Sequence, residues 1–183
     1  MRIYRIIVAA AVLLGPAIPC YAQVESTPIP TPKKPNFSSM NYLIGTWTCS
    51  TKSARRPAAY VTTSTYSADP TGYWINETST TKATSWIGTS LIGWDKITYD
   101  SDTHRWVDLD YGQGGTYSLA FSRGWNGNKM VWHDVSFAAG PDIASQTDNI
   151  VTKVSDTKQT SSSSFTEAKT GRVVSVTGVC TKQ

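Results

Sequence analysis

The sequence predicts an all-β protein, a closed antiparallel up-and-down barrel of about ten strands with one short helical turn at its N-terminal edge. Three observations carry this. From Gly45 onward, strand-like runs rich in Thr, Val, Ile, Tyr and Trp alternate with turn formers, and no helix-length pattern intervenes. The chain holds seven Trp and nine Tyr, residues that suit a pleated, half-buried surface. Cys49 lies in the first run and Cys180 three residues from the C-terminus, where the first and last strands of a closed sheet would meet.

Strands are expected at 45–51, 59–67, 73–82, 87–99, 104–111, 116–124, 129–137, 149–154, 160–168 and 172–181. An even count places the first and last strands side by side and antiparallel, and closure removes the unpaired edges that invite aggregation. Cys49 and Cys180 would then bridge the seam. Strand periodicity alone also permits a two-sheet sandwich, the alternative fold.

Before the barrel come two other segments. Residues 1–22 read as a secretory signal peptide: Arg2 and Arg5, an apolar run over 6–14, and Cys20-Tyr21-Ala22 ahead of Gln23. The apolar run is too short to span a bilayer. Competing readings are a retained anchor, or acylation of Cys20 as in a lipoprotein, against which Pro19 argues. Cleavage after Ala22 removes Arg2 and Arg5 and lowers the formal charge from +4 to +2. Cys49 and Cys180 are then the remaining cysteines, and in an oxidising compartment they read as one disulfide. Residues 23–37, with Pro28, Pro30, Pro32 and Pro35 around Lys33-Lys34, read as an extended linker. The barrel domain spans 38–183. It opens on a helical turn over 38–44, in which Met40, Leu43 and Ile44 share a face.

The turns divide into two ends. Connections 69–72, 100–103, 125–128 and 156–159 are short and rich in Asp, Asn, Gly and Pro, with Asn126-Gly127 a strong hairpin signal. Those at 52–58, 83–86, 112–115, 138–148 and 169–171 include longer or glycine-rich segments. Long loops gather at the binding end of a scaffold, so the mouth is expected there. The base would be sealed by the 38–44 turn and Trp47.

Two segments carry a resemblance. Tyr42-Leu-Ile-Gly-Thr-Trp47 resembles the Gly-x-Trp start of lipocalin-like, or calycin, barrels. The run from Ile92-Gly-Trp-Asp95 to Asp100, followed by His104-Arg-Trp-Val-Asp108 and Gly114-Gly-Thr-Tyr117, is similar to a bacterial lipocalin-like family catalogued as a domain of unknown function. Trp94 stands where that family usually has tyrosine. The resemblance covers roughly residues 40–135 by motif; it implies the barrel fold and little about activity. A neighbouring family, the haem-binding ten-stranded nitrobindins, ligates iron through a histidine near the chain's end. This chain has only His104 and His133, neither of them there, so no haem site is implied.

The candidate site residues follow from strand parity. His133 alternates with Val131, Val135 and Phe137; if that aliphatic face points inward, His133 becomes an interior polar group, core histidine or ligand contact. Asp95 is in phase with Ile97 and Tyr99, and Asp108 with Trp106 and Asp110. An inward Asp95 needs a partner, for which Arg123, in phase with Tyr117, Leu119 and Phe121, is the candidate. Arg55 and Arg56, with Lys82, Lys169 and Arg172, would make the rim basic and favourable to an anionic headgroup. No metal or nucleophile motif stands out, no cofactor is expected, and the charge is too small and scattered for a nucleic-acid footprint. The leading expectation is an exported periplasmic or extracellular protein that holds a small hydrophobic or amphipathic ligand in the barrel. The alternatives are an enzyme using His133 as general base with Asp95 or Asp108 and Arg123, and an envelope module that stacks outer-face aromatics on glycans.

Overall fold

The computed structural model describes residues 31–138 and 143–183. The predicted signal peptide and most of the linker lie outside the described residues. One short 3-10 turn, η1 (Asn41–Leu43), precedes twelve strands: β1 (Gly45–Ser53), β2 (Tyr60–Ala68), β3 (Ile75–Thr81), β4 (Leu91–Asp100), β5 (Arg105–Gly112), β6 (Tyr117–Ser122), β7 (Trp125–Asn126), β8 (Lys129–Ala138), β9 (Ile143–Gln146), β10 (Asn149–Ser155), β11 (Lys158–Glu167) and β12 (Val173–Lys182). Ten of them form the barrel, each antiparallel to its neighbours. Pairing runs from β10 through β11, β12 and β1 to β6 and β8, and β8 closes back onto β10. The two-residue β7 folds onto β8, and β9 pairs with β11 above the end of β10.

The seam forms as the strand count requires. β1 lies beside β12 with Cys49 opposite Cys180, and the two sulfurs are bonded across a Cα separation of 3.9 Å. Strand ends differ from the sequence expectation where side chains close a turn early. Thr84 Oγ1 accepts from the Ile87 backbone at 2.9 Å, and Thr84 N–H donates to the Ile87 carbonyl at 2.8 Å, so residues 87–90 stay in the loop and β4 starts at Leu91. β6 stops at Ser122, whose Oγ accepts from Gly124 N–H at 3.1 Å. The Asn126-Gly127 hairpin forms as expected between β7 and β8, with Gly127 at φ 61°.

The 38–44 segment plugs the base. Met40, Leu43 and Trp47 are buried with Ile75, Ile97, Trp106, Ala120, Met130 and Trp132, while Ile44 is half-buried at their edge. Trp47 is fully enclosed, and its indole N–H donates to the Leu43 carbonyl at 2.7 Å. This satisfies its one polar group. Tyr42 meets Trp47 edge-on at 6.0 Å, and its hydroxyl donates to Gln159 Oε1 at 2.9 Å. Gly45 takes φ 125°, and a Cβ there would lie 2.9 Å from the Lys182 stem. The glycine of the Gly-x-Trp motif thus lets the chain turn from plug to strand under the last residues of β12. Phe37, at the end of the predicted linker, also packs on the base, 5.9 Å from Trp106.

Removing the disulfide with Cys49→Ala and Cys180→Ala is expected to lower unfolding stability by about 4–5 kcal/mol in the chain-entropy limit. Chemical denaturation of the variant against the oxidised protein measures it, and the far-ultraviolet spectrum of the folded state should stay unchanged.

Candidate functional site

Above the plug the barrel is hollow. A cavity of about 430 Å³ runs from Met40 and Leu43 at the floor to Tyr60, Gln146 and Asn149 nearer the mouth. Strand alternation decides its lining. One wall carries hydroxyl, amide and disulfide groups: Thr51, Thr62, Ser64, Gln159, Ser161 and Cys49–Cys180. The other is acidic.

The acidic wall is built by register. Glu77 on β3 pairs with Asp95 on β4, which pairs with Asp110 on β5. One step toward the base, Ile97 pairs with Asp108, and the row continues through Ala120 on β6 to Asp134 on β8. All five carboxyl-bearing residues line the cavity, Glu77, Asp95 and Asp110 one step above the apolar Ile97 and Ala120, and Asp108 and Asp134 level with them.

Burial, followed by the charge and hydrogen bond of Asp108, holds Asp95 well above the usual carboxylate range. Burial likewise pushes Asp108 up to about 6, although its hydrogen bond with Asp95 works against the rise. Oδ1 of each is closed off from water and receives no protein donor. Asp110 rises to about 6 through burial and then the charges of Asp108, Glu77 and Asp134. Burial also raises Asp134, against the Gln146 amide that donates to its Oδ2 at 2.8 Å. Tyr66, across the β2–β3 pair from Glu77, donates to it, and burial beside these acids keeps the phenol protonated.

Asp95 and Asp108 therefore stand inside, as parity allowed. His133 does not. Met130, Trp132 and Asp134 face the cavity from β8, while the His133 side chain is 56 % exposed on the outer face, its Nδ1 2.8 Å from Asp148. The expectation that the aliphatic face of β8 turns inward fails because this interior is aromatic and polar; Val135 is left 57 % exposed outside. Arg123 is corrected for the same reason. It lies exposed beyond β6 and does not line the cavity, so it is no partner for Asp95. Arg55 Nε reaches Glu167 at 3.5 Å and Arg56 stacks over Trp86 at 4.5 Å, both on the rim and neither lining the cavity. The grouping of His133 with Asp95, Asp108 and Arg123 as catalytic machinery is not brought together. Asp134, Glu77 and Asp110 are the wall residues that the parity argument left out as site candidates, though Trp132-x-Asp134 shared the face opposite His133 and would have found the first.

Among the described residues no group of three or more His, Cys, Asp or Glu is arranged to hold a metal ion. No helix among them is long and apolar enough to cross a membrane.

No protein-family model matches the chain, and no curated protein matches it. Among solved structures it is similar to one described as "Structure of EF1p2_mFAP2b bound to DFHBI", with 13% identity, 79% of this chain and 96% of that chain covered, and a TM-score of 0.38. That similarity is too distant to bear on the ligand. No family is assigned on these comparisons; the barrel itself is consistent with the lipocalin-like fold that the Gly45-x-Trp47 motif implies.

The acidic wall makes stability pH-dependent. Asp108 and Asp110 bind protons more tightly folded than unfolded, so their effect stabilises at low pH and is lost as pH rises from the ordinary aspartate value toward and through about 6. Thermal melts are expected to show a higher Tm at pH 5 than at pH 8, and Asp108→Asn should flatten that slope and add about 1–2 kcal/mol at neutral pH. A Tm that rises steadily from pH 5 to pH 8 would contradict this.

Proposed function

We propose that the chain is an exported, periplasmic or extracellular binding protein that holds a small amphipathic ligand inside its barrel. The observation that carries this reading is the hollow interior: about 430 Å³ left unfilled above a floor sealed by Met40, Leu43 and Trp47. A barrel of this size need not enclose space, since small barrels often pack their interiors with side chains. Volumes in this range are typical of small-molecule sites. The apolar floor and polar walls favour an amphipathic guest over a purely hydrophobic one. The disulfide and the Arg2-to-Ala22 segment support export. Entry is by the end that carries the 54–59 loop and β9, opposite the plug.

Native mass spectrometry of the protein purified from its own host should show a bound small molecule. Ser118→Trp, which fills the cavity from β6, should abolish that extra mass while the disulfide and circular dichroism persist. An empty wild-type barrel would sink the reading.

A second reading has its own observation. Trp94, Tyr111 and Tyr117 occupy one cross-strand row on β4, β5 and β6, away from the cavity and 36 to 48 % exposed. Trp94 and Tyr111 are stacked, with ring centroids 5.5 Å apart. Such a platform suits the face of a sugar ring, as an envelope glycan-binding module would need. Retention on host cell-wall polysaccharide that Trp94→Ala abolishes, with the barrel ligand still bound, is the expected outcome under this reading.

A further inference from the structure

The cavity is opposite in charge to the chain. Lys and Arg outnumber Asp and Glu by 17 to 13, yet Glu77, Asp95, Asp108, Asp110 and Asp134 line the cavity and, among the described residues, no Lys, Arg or His does. Two of the rim cations are engaged elsewhere, Arg55 with Glu167 and Arg56 on Trp86. Gathering acids in an enclosed space is unfavourable unless they retain protons or a counter-charge enters, and the described residues bring no counter-charge to the cavity lining.

The hydrogen bonding of the lining is incomplete as well: Trp125 Nε1 is an unpaired donor, and the acidic wall holds unpaired acceptors. Oδ1 of Asp95 and Oδ1 of Asp108 are buried acceptors without a protein donor, in side chains that line the cavity. A ligand that brings positive charge together with N–H donors, as an ammonium group does, would complement this wall, and a small rotation of either carboxyl would turn its unpaired oxygen toward it. A metal ion would also bring charge, but it needs converging ligands, and no such cluster exists among the described residues.

We infer that the barrel's ligand is a small organic cation, a protonated amine whose apolar part rests on the Ile97, Ala120 and Trp132 floor and whose ammonium group is held by the Asp95, Asp108 and Asp134 wall. This rests on the reading of the barrel as a ligand-binding protein. The rings of Tyr66 and Trp132 border the same space and add favourable surface for a cation. Anionic ligands meet the reverse field. Among the described residues, the titratable groups that line the cavity are the five carboxyls with Tyr42, Tyr60 and Tyr66. Because burial and mutual repulsion keep Asp108 and Asp110 partly protonated around pH 6, entry of the cation there displaces protons into solution.

The test is isothermal titration of the full chain, at about pH 7.5, with three probes sharing one aromatic tail: 2-phenylethylamine, 2-phenylethanol and 3-phenylpropanoate. The amine is expected to bind at least about tenfold more tightly than the alcohol, with no heat from the carboxylate. Amine affinity should fall at least about tenfold on lowering the pH to about 5, and near pH 6 the heat should vary with buffer ionisation enthalpy as protons are released. The double variant Asp108→Asn, Asp134→Asn should bring the amine-to-alcohol ratio toward one; the pH series on the unaltered protein stands should that variant not fold. Alcohol or carboxylate binding as tight as the amine overturns the inference and leaves the ligand-binding reading in place. Binding of none of the three also overturns it, while the native mass spectra judge the broader reading separately.

Discussion

Everything in this barrel depends on the pairing of its last strand with its first. β12 meets β1 in register from Trp47 opposite Lys182 to Ser53 opposite Val176, and the Cys49–Cys180 bond locks the middle of that ladder. Once the seam is closed none of the ten barrel strands is an edge, and each side chain along them is committed to the inside or the outside. The seam also places the end of β12 over the plug, where Lys182 Nζ donates to the Tyr42 carbonyl at 2.8 Å. The strand pair that closes the barrel therefore also holds the plug.

The barrel is stabilised unevenly along its length. The lower third is dry and aromatic, organised on Trp47 and on Trp106, which meets Tyr99 at 5.4 Å. The middle is hollow and acidic. An interior built only for stability would continue the apolar floor upward, since hydrophobic burial is the dominant favourable term and buried carboxyls oppose it. Here the opposing groups are stacked in two adjacent cross-strand rows, Glu77–Asp95–Asp110 and Asp108–Ala120–Asp134. Folding tolerates them because the floor beneath and the disulfide seam opposite supply the stability that the wall gives up.

Much of this was legible in the residues. Ten strands, the short turns at the base, the Cys49–Cys180 seam and the Trp47 plug follow from alternation, turn chemistry and the even strand count, all of them local signals or arithmetic on local signals. The inward placement of Asp95 and Asp108 followed from their phase with Ile97 and Trp106. His133 and Arg123 failed because each was assigned from the rule that the aliphatic face of a strand is the buried one. In a hollow barrel both faces are amphipathic, and Val131 and Val135 on β8 yield the interior to Met130, Trp132 and Asp134.

The sequence by itself thus determined the fold class, the closure and the sealed end, because strand period, turn type and strand number are written in neighbouring residues. Only the tertiary structure decided what the hollow is made of. Glu77, Asp95, Asp108, Asp110 and Asp134 come from four strands spread over 58 positions, and nothing along the chain marks them as neighbours. Cross-strand register, which depends on every turn and on the bulge beside Ala120, brings them onto one wall, and the exclusion of Arg55, Arg56 and Arg123 from that wall leaves it without a counter-charge.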